Sequence, residues 1–272
     1  MARLSVSTAW NETTALVKAE ARLLFPLAFM AIALPAAVTR ALAPLGPAEG
    51  EARASPIFIA AIAVTLVLTL IGYLAISHLA LKRGASVREA LAQGARRAPA
   101  LAAASLLVGC GLAAIAFVLA FIVSAATIGA SGREPNMDEM ARAALILFVL
   151  LIPVFLYFSG RVALMTPAAA AETAGPFALI ARSWRLTKPH QLKMAGLVTM
   201  LGLLALVLQL AVESVLGILL IAVAGPAAPG SPSSILLLLC LALLTTVLAI
   251  YGVALIARVY AQLAETAGGS AG

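Results

Sequence analysis

Charge is what this sequence lacks most. Only 11% of its 272 residues are Asp, Glu, Lys or Arg, while 63% are hydrophobic and the mean hydropathy is +1.10. Soluble domains average about 25% charged and 45–50% apolar residues. A chain this poor in charge cannot cover a water-facing surface with polar groups, which excludes a soluble globular protein and predicts an all-α integral membrane protein.

Cysteine and histidine are almost as scarce. Cys110 and Cys240 stand alone in apolar runs, so neither a disulfide framework nor a cysteine metal site is expected. They are expected to pack as small apolar residues. The two histidines, His78 and His190, could meet at one end of the molecule and hold a metal with Glu172. The favoured reading is that both are interfacial side chains of mixed polarity. No P-loop, dinucleotide-binding turn, HExxH helix or nucleophile elbow occurs. The expectation is therefore no enzyme, no metal and no cofactor.

What charge there is divides the chain. Six intervals are long and apolar enough to span a bilayer, which needs roughly 20 residues: about 23–42, 56–81, 99–129, 140–164, 191–223 and 233–258. The last two are separated by GPAAPGSP at 225–232, a Gly/Pro-rich turn. The first holds Pro26 and Pro35 and is expected to kink. With both termini cytoplasmic, 14 basic residues lie inside and 4 (Arg40, Arg53, Arg133, Arg142) outside, with Glu49, Glu51, Glu134, Asp138 and Glu139 also outside. This bias sets the orientation as N-in, C-in. It also accounts for the net charge of +7 without a nucleic-acid partner. The 22 residues before the first apolar run are too many for a usual signal peptide, so residues 5–20 are expected to stay in the mature protein. Fourteen Arg against four Lys, with much Ala, Gly and Pro, suggest a GC-rich bacterial genome and a bacterial inner membrane.

Three inside segments show amphipathic helical spacing. Val6, Trp10, Thr13 and Val17 share a face in residues 5–20, as do Val87, Leu91, Ala95 and Ala98 in 85–98, and Phe177, Ile180 and Trp184 in 176–188. Each precedes a pair of spans. The domain is thus expected as one membrane unit with three interfacial helices on the cytoplasmic side, read as three repeats over 1–83, 84–170 and 171–260, and a flexible tail at 261–272. Trp10, Phe177 and Trp184, with Arg161, Arg182, Arg185, Lys188 and Lys193, are expected to meet the headgroup region, where each basic residue near anionic lipid contributes about 1 kcal/mol. Arg161 is expected to snorkel to lipid phosphate or to pair with Glu172.

The stretch FALIARSWRLTKPHQLK, residues 177–193, resembles the signature of the bacterial glycerophosphodiester phosphodiesterase membrane-domain family. The matching positions are Ala178, Leu179, Ser183, Trp184, Leu186, Thr187 and Lys188, while Pro189 replaces the family's usual Gly. The resemblance implies a six-helix membrane domain without the phosphodiesterase half, and no phosphodiesterase activity.

One polar pair sits within the apolar runs. Gln209 and Glu213, at i and i+4, share a helix face in the fifth span. An intramembrane carboxylate is a functional candidate; the competing reading is a structural contact near the outer boundary. Gly109, Gly111, Gly196, Gly202 and Gly217 are expected to permit close helix packing. The function these features favour is a non-enzymatic inner-membrane protein of membrane organisation or lipid handling, acting alone or as a membrane partner in an assembly. Its partners would be phospholipids, with a homo-oligomer or another membrane protein as further candidates. The alternative is a small transporter or lipid translocator using Gln209 and Glu213.

Overall fold

The computed structural model describes residues 5–43, 55–82, 84–127, 136–225 and 231–268. Arg3, Arg53, Arg83, Arg133, Glu49, Glu51, Glu134, most of the 225–232 turn and residues 269–272 lie outside the described residues.

The described chain is all-helical. In order it forms α1 (Val6–Ala28), a π-helical turn at Phe29–Ala33, α2 (Leu34–Ala41), α3 (Pro56–Leu81), α4 (Val87–Thr127), α5 (Met137–Val162), α6 (Met165–Ala171), α7 (Pro176–Thr187), a 3-10 turn at Lys188–His190, α8 (Gln191–Ala224) and α9 (Pro232–Gly268). Six continuous stretches of helix are long and apolar enough to cross a membrane: Val6–Ala41, Pro56–Leu81, Val87–Thr127, Met137–Ala171, Pro176–Leu220 and Pro232–Thr266. The residues expected as a tail from 261 are helical to Gly268.

Local chemistry fixes several boundaries. Asn136 and Glu139 close a capping box at the start of α5, with Glu139 N–H donating to Asn136 Oδ1 at 2.8 Å and Asn136 N–H donating to Glu139 Oε2 at 3.2 Å. Ser55 caps α3, accepting from Ile57 N–H. The π-helical turn directly precedes Pro35. A proline ring collides with the carbonyl four residues earlier and donates no bond, and a widened turn relieves that conflict. The interfacial segment expected at 5–20 ends at a kink, where Glu20 leaves helical geometry (φ −115°, ψ 17°). The segment expected at 85–98 runs into its span without a break, since α4 is continuous through Pro99. Only α7 is set apart from the helix that follows it, by the 3-10 turn containing Pro189.

The core lies at one end of the bundle. Its largest cluster joins Ala9 of α1, Leu74 of α3, Leu101 and Ala104 of α4, Met194 and Leu197 of α8, and Leu255 and Val259 of α9. These surround α6, a short Ala-rich helix whose Met165, Pro167, Ala168, Ala169 and Ala170 are all buried. Along their lengths α4, α5 and α8 turn large apolar side chains outward, among them Phe117 (74% exposed), Phe155 (67%) and Ile218 (69%).

Each of the three amphipathic segments buries one stripe against the bundle, and Thr13 and Ala98 of the expected faces belong to it. It is Ala9, Thr13 and Leu16 in α1, Ala90, Gly94 and Ala98 in α4, and Leu179, Ser183, Leu186 and Thr187 in α7. Trp10 is 44% exposed and Phe177 75% exposed. Small residues let helix axes approach closely, which is the packing mode of helices whose outward faces are themselves apolar. The expected glycines also change. A Cβ added at Gly109, Gly111, Gly196, Gly202 or Gly217 would meet nothing within 4 Å. The close contacts are instead at Gly94, where a Cβ would lie 2.8 Å from the Ile71 carbonyl oxygen, and at Gly160, where it would lie 2.8 Å from the Ala195 nitrogen. Cys110 is exposed on α4 and Cys240 half-buried on α9, and both are free thiols.

Candidate functional site

The polar residues singled out from the sequence fall into three separate places. The first is a strap that holds α7 to the bundle. Arg161, at the end of α5, is only 8% exposed. Its Nη1 donates to the Trp184 carbonyl at 2.9 Å and its Nη2 to Gln191 Oε1 at 2.7 Å. The guanidinium lies 5.4 Å from the ring centres of both Tyr157 and Trp184, within cation–π range. The Arg161 carbonyl accepts from the buried Ser183 hydroxyl, and the Trp184 ring meets Tyr157 and Phe158 edge to face. The expected snorkelling of Arg161 is therefore corrected: its charge is turned inward because three elements supply acceptors and aromatic faces there. Glu172 is not its partner. That carboxylate accepts from Arg182 Nε at 2.9 Å and from the Tyr260 hydroxyl at 2.7 Å, joining the α6–α7 link, α7 and α9. Of the basic residues expected at the headgroups, Arg185, Lys188 and Lys193 are exposed, whereas Arg182 is committed to Glu172.

The second place is the far end of α8. Glu213 pairs with Arg40 of α2, whose Nη2 donates to both carboxylate oxygens at 3.1 and 3.0 Å. The side chains are 50% and 43% exposed. Ion pairs as open as this contribute about 0–1 kcal/mol. Glu213→Gln, which keeps a hydrogen-bond acceptor, is expected to change stability by less than about 0.5 kcal/mol, and a thermal melt in detergent checks it.

The third place is a cleft that no single motif marks. It has a volume of about 680 Å³ and is lined by Trp10 and Thr14 of α1, Tyr73 and Ser77 of α3, Ala163, Thr166 and Pro167 around the α5–α6 turn, and the facing sides of α8 and α9 from Val198 to Gln209 and from Thr245 to Ile256. Trp10 stacks on Tyr251 at 5.8 Å at one edge. Gln209 Nε2 lies 3.5 Å from Thr245 Oγ1 at the opposite end. Eleven residues of helix separate Val198 from Gln209, about 16 Å at 1.5 Å per residue, roughly half the 30 Å hydrocarbon thickness of a bilayer. Its lining is mainly apolar, with Leu201, Leu204, Ala205, Leu248 and Val253, and it also holds the hydroxyls of Thr14, Tyr73, Ser77, Thr166, Thr245 and Tyr251.

Gln209 therefore belongs to the cleft, whereas Glu213 does not line it. The shared face expected for the two residues holds along α8, but their partners come from different helices. His78 approaches Glu89 at 3.8 Å beside Lys82, and among the described residues no group of three His, Cys, Asp or Glu could hold a metal ion. The sequence reading missed Ser77, Thr166, Tyr73 and Thr245. Their only sequence signal is a polar side chain within an apolar run, which does not reveal which helices will face each other.

No family model matches the chain, and neither a curated protein nor a solved structure matches it.

Proposed function

We propose that this chain is a non-enzymatic, multi-pass protein of the bacterial inner membrane that handles lipid. The observation that carries the reading is the apolar cleft between α8 and α9. The outward faces of α8 and α9 carry exposed Leu, Ile and Val side chains, so a cleft in this position adjoins acyl chains once the helices are in a bilayer. Contiguous apolar surface on this scale is untenable in water. The length of the cleft suits the depth of one leaflet. The amphipathic segments at its basic end, with exposed Arg185, Lys188 and Lys193, lie against anionic headgroups, and membership of the glycerophosphodiester phosphodiesterase membrane-domain family is part of the same proposal.

The division of 14 basic residues against 4 supports a cytoplasmic basic end. A cysteine introduced at Lys188, in a variant lacking Cys110 and Cys240, is expected to react with a membrane-impermeant maleimide only from the cytoplasmic side. Labelling from the periplasm alone would reverse the orientation.

Lipid binding is tested by heat. A ligand that binds only the folded state stabilises it by about 2.7 kcal/mol at a hundred times its Kd, which for a chain of this size is a rise of about 5–10 °C in Tm. Delipidated protein in detergent is expected to show such a rise when bacterial membrane lipid is added back. An unchanged melt across the titration would remove the lipid-handling reading.

A further inference from the structure

Resting on that reading, we infer that the occupant of the cleft is an uncharged lipid of the diacylglycerol class, held through an ester carbonyl by the Ser77 hydroxyl. None of the residues lining the cleft is Asp, Glu, Lys, Arg or His. A phosphate drawn into it would leave water with no cation to meet it, and burying an unpaired charge is far costlier than burying a neutral ester. An anionic headgroup is therefore excluded from the cleft, although the exposed basic residues outside it still attract anionic lipid to the surface.

Ser77 supplies the polar contact. It is fully buried, lines the cleft, and its Oγ meets no hydrogen-bond partner. A helical serine ordinarily returns its proton to a carbonyl one turn back. Thr14 and Thr245, which also line the cleft, do this: Thr14 donates to the Asn11 carbonyl at 2.9 Å and Thr245 to the Leu241 carbonyl at 2.8 Å. The Ser77 proton has no such acceptor, and a buried donor without a partner is unfavourable until something supplies one. An ester carbonyl entering between the helices does so. The long apolar wall beyond it, through Leu201, Ala205 and Leu248, takes the attached chain.

The probes are dioleoylglycerol and dioleoyl phosphatidic acid, which carry the same two chains and differ in charge. Each is titrated into delipidated full-length protein in a neutral detergent, and the midpoint of the Tm rise is read. Dioleoylglycerol is expected to act at a midpoint at least about tenfold lower, following the cost of stranding a charge. Ser77→Ala is expected to raise the dioleoylglycerol midpoint about three- to tenfold, the usual worth of one hydrogen bond. The same variant should leave the ligand-free Tm unchanged or raised, because it removes a donor that has no protein partner; a serine with a structural role would lower it. Equal or tighter action of phosphatidic acid would overturn the uncharged occupant while leaving lipid handling intact. An unshifted midpoint in Ser77→Ala, or a lowered ligand-free Tm, would overturn the assignment of Ser77. No Tm rise with either lipid would bring down the lipid-handling reading itself.

Discussion

Replacing Arg161 with alanine is expected to lower the unfolding free energy by about 2–4 kcal/mol, the range for removing a buried, multiply bonded side chain and leaving a cavity. The guanidinium ties α5 to α7 and to the start of α8, through the Trp184 carbonyl and Gln191, and it fills the space between the Tyr157 and Trp184 rings. Alanine leaves the Gln191 oxygen without its donor and opens a void under Trp184. For a chain of this size the Tm should fall by about 5–15 °C. Arg161→Lys should recover only part of the loss, because an ammonium cannot bridge two acceptors while lying flat between two rings. Arg185→Ala is the control, since Arg185 is exposed on α7, the helix that Arg161 of α5 holds, and surface substitutions stay within about 0.5 kcal/mol. Equal melts for Arg161→Ala and Arg185→Ala would refute the strap.

Filling the cleft is expected to abolish the response to lipid without unfolding the protein. Gly202 and Gly252 both line it, and a Cβ at either would meet no atom within 4 Å. The double variant Gly202→Phe, Gly252→Phe places two rings in that space. Phe also has a higher helix propensity than Gly, by a few tenths of a kcal/mol per site, so the ligand-free Tm should hold or rise. The rise with added lipid should vanish. Gly109→Phe with Gly111→Phe is the matched control: those positions are equally open but lie on α4, away from the cleft. It should respond to lipid as the parent does. Loss of the response in both pairs would mean that binding takes place on the general apolar surface.

The contrast between these glycines shows how far the sequence could be read. Six long apolar helices were legible because long runs of the chain carry almost no charge, although α4 begins twelve residues before its apolar run. Helix orientation about its own axis was not legible. Periodicity grouped Trp10, Phe177 and Trp184 on faces expected at the headgroups, but it did not show which residues the helices bury, which include Ala9, Ala90, Gly94 and Ser183, with Phe177 turned outward. Where the outside is also apolar, hydrophobicity no longer distinguishes inward from outward, and closeness of approach decides. Charge pairing was obscured for a related reason. Glu172 lay nearer in sequence to both Arg161 and Arg182 than to Tyr260, yet it bonds Arg182 and Tyr260, because the turn after α6 aims it toward α9. Glu213 drew attention as a charge in an apolar run, and its partner Arg40 is 173 residues away, beyond any local pattern. The cleft itself is made from five parts of the chain, each ordinary in isolation.

The central claim is that a lipid chain occupies the space between α8 and α9, and photolabelling reads it directly. Protein reconstituted with a diacylglycerol carrying a diazirine at mid-chain is irradiated, digested and mapped by mass spectrometry. Label is expected to concentrate on α8 between Val198 and Gln209 and on α9 between Thr245 and Ile256, and to disappear from both in the Gly202→Phe, Gly252→Phe variant. Label spread evenly over the outward faces of α4 and α5, around Phe117 and Phe155, and unchanged by that variant, would contradict it.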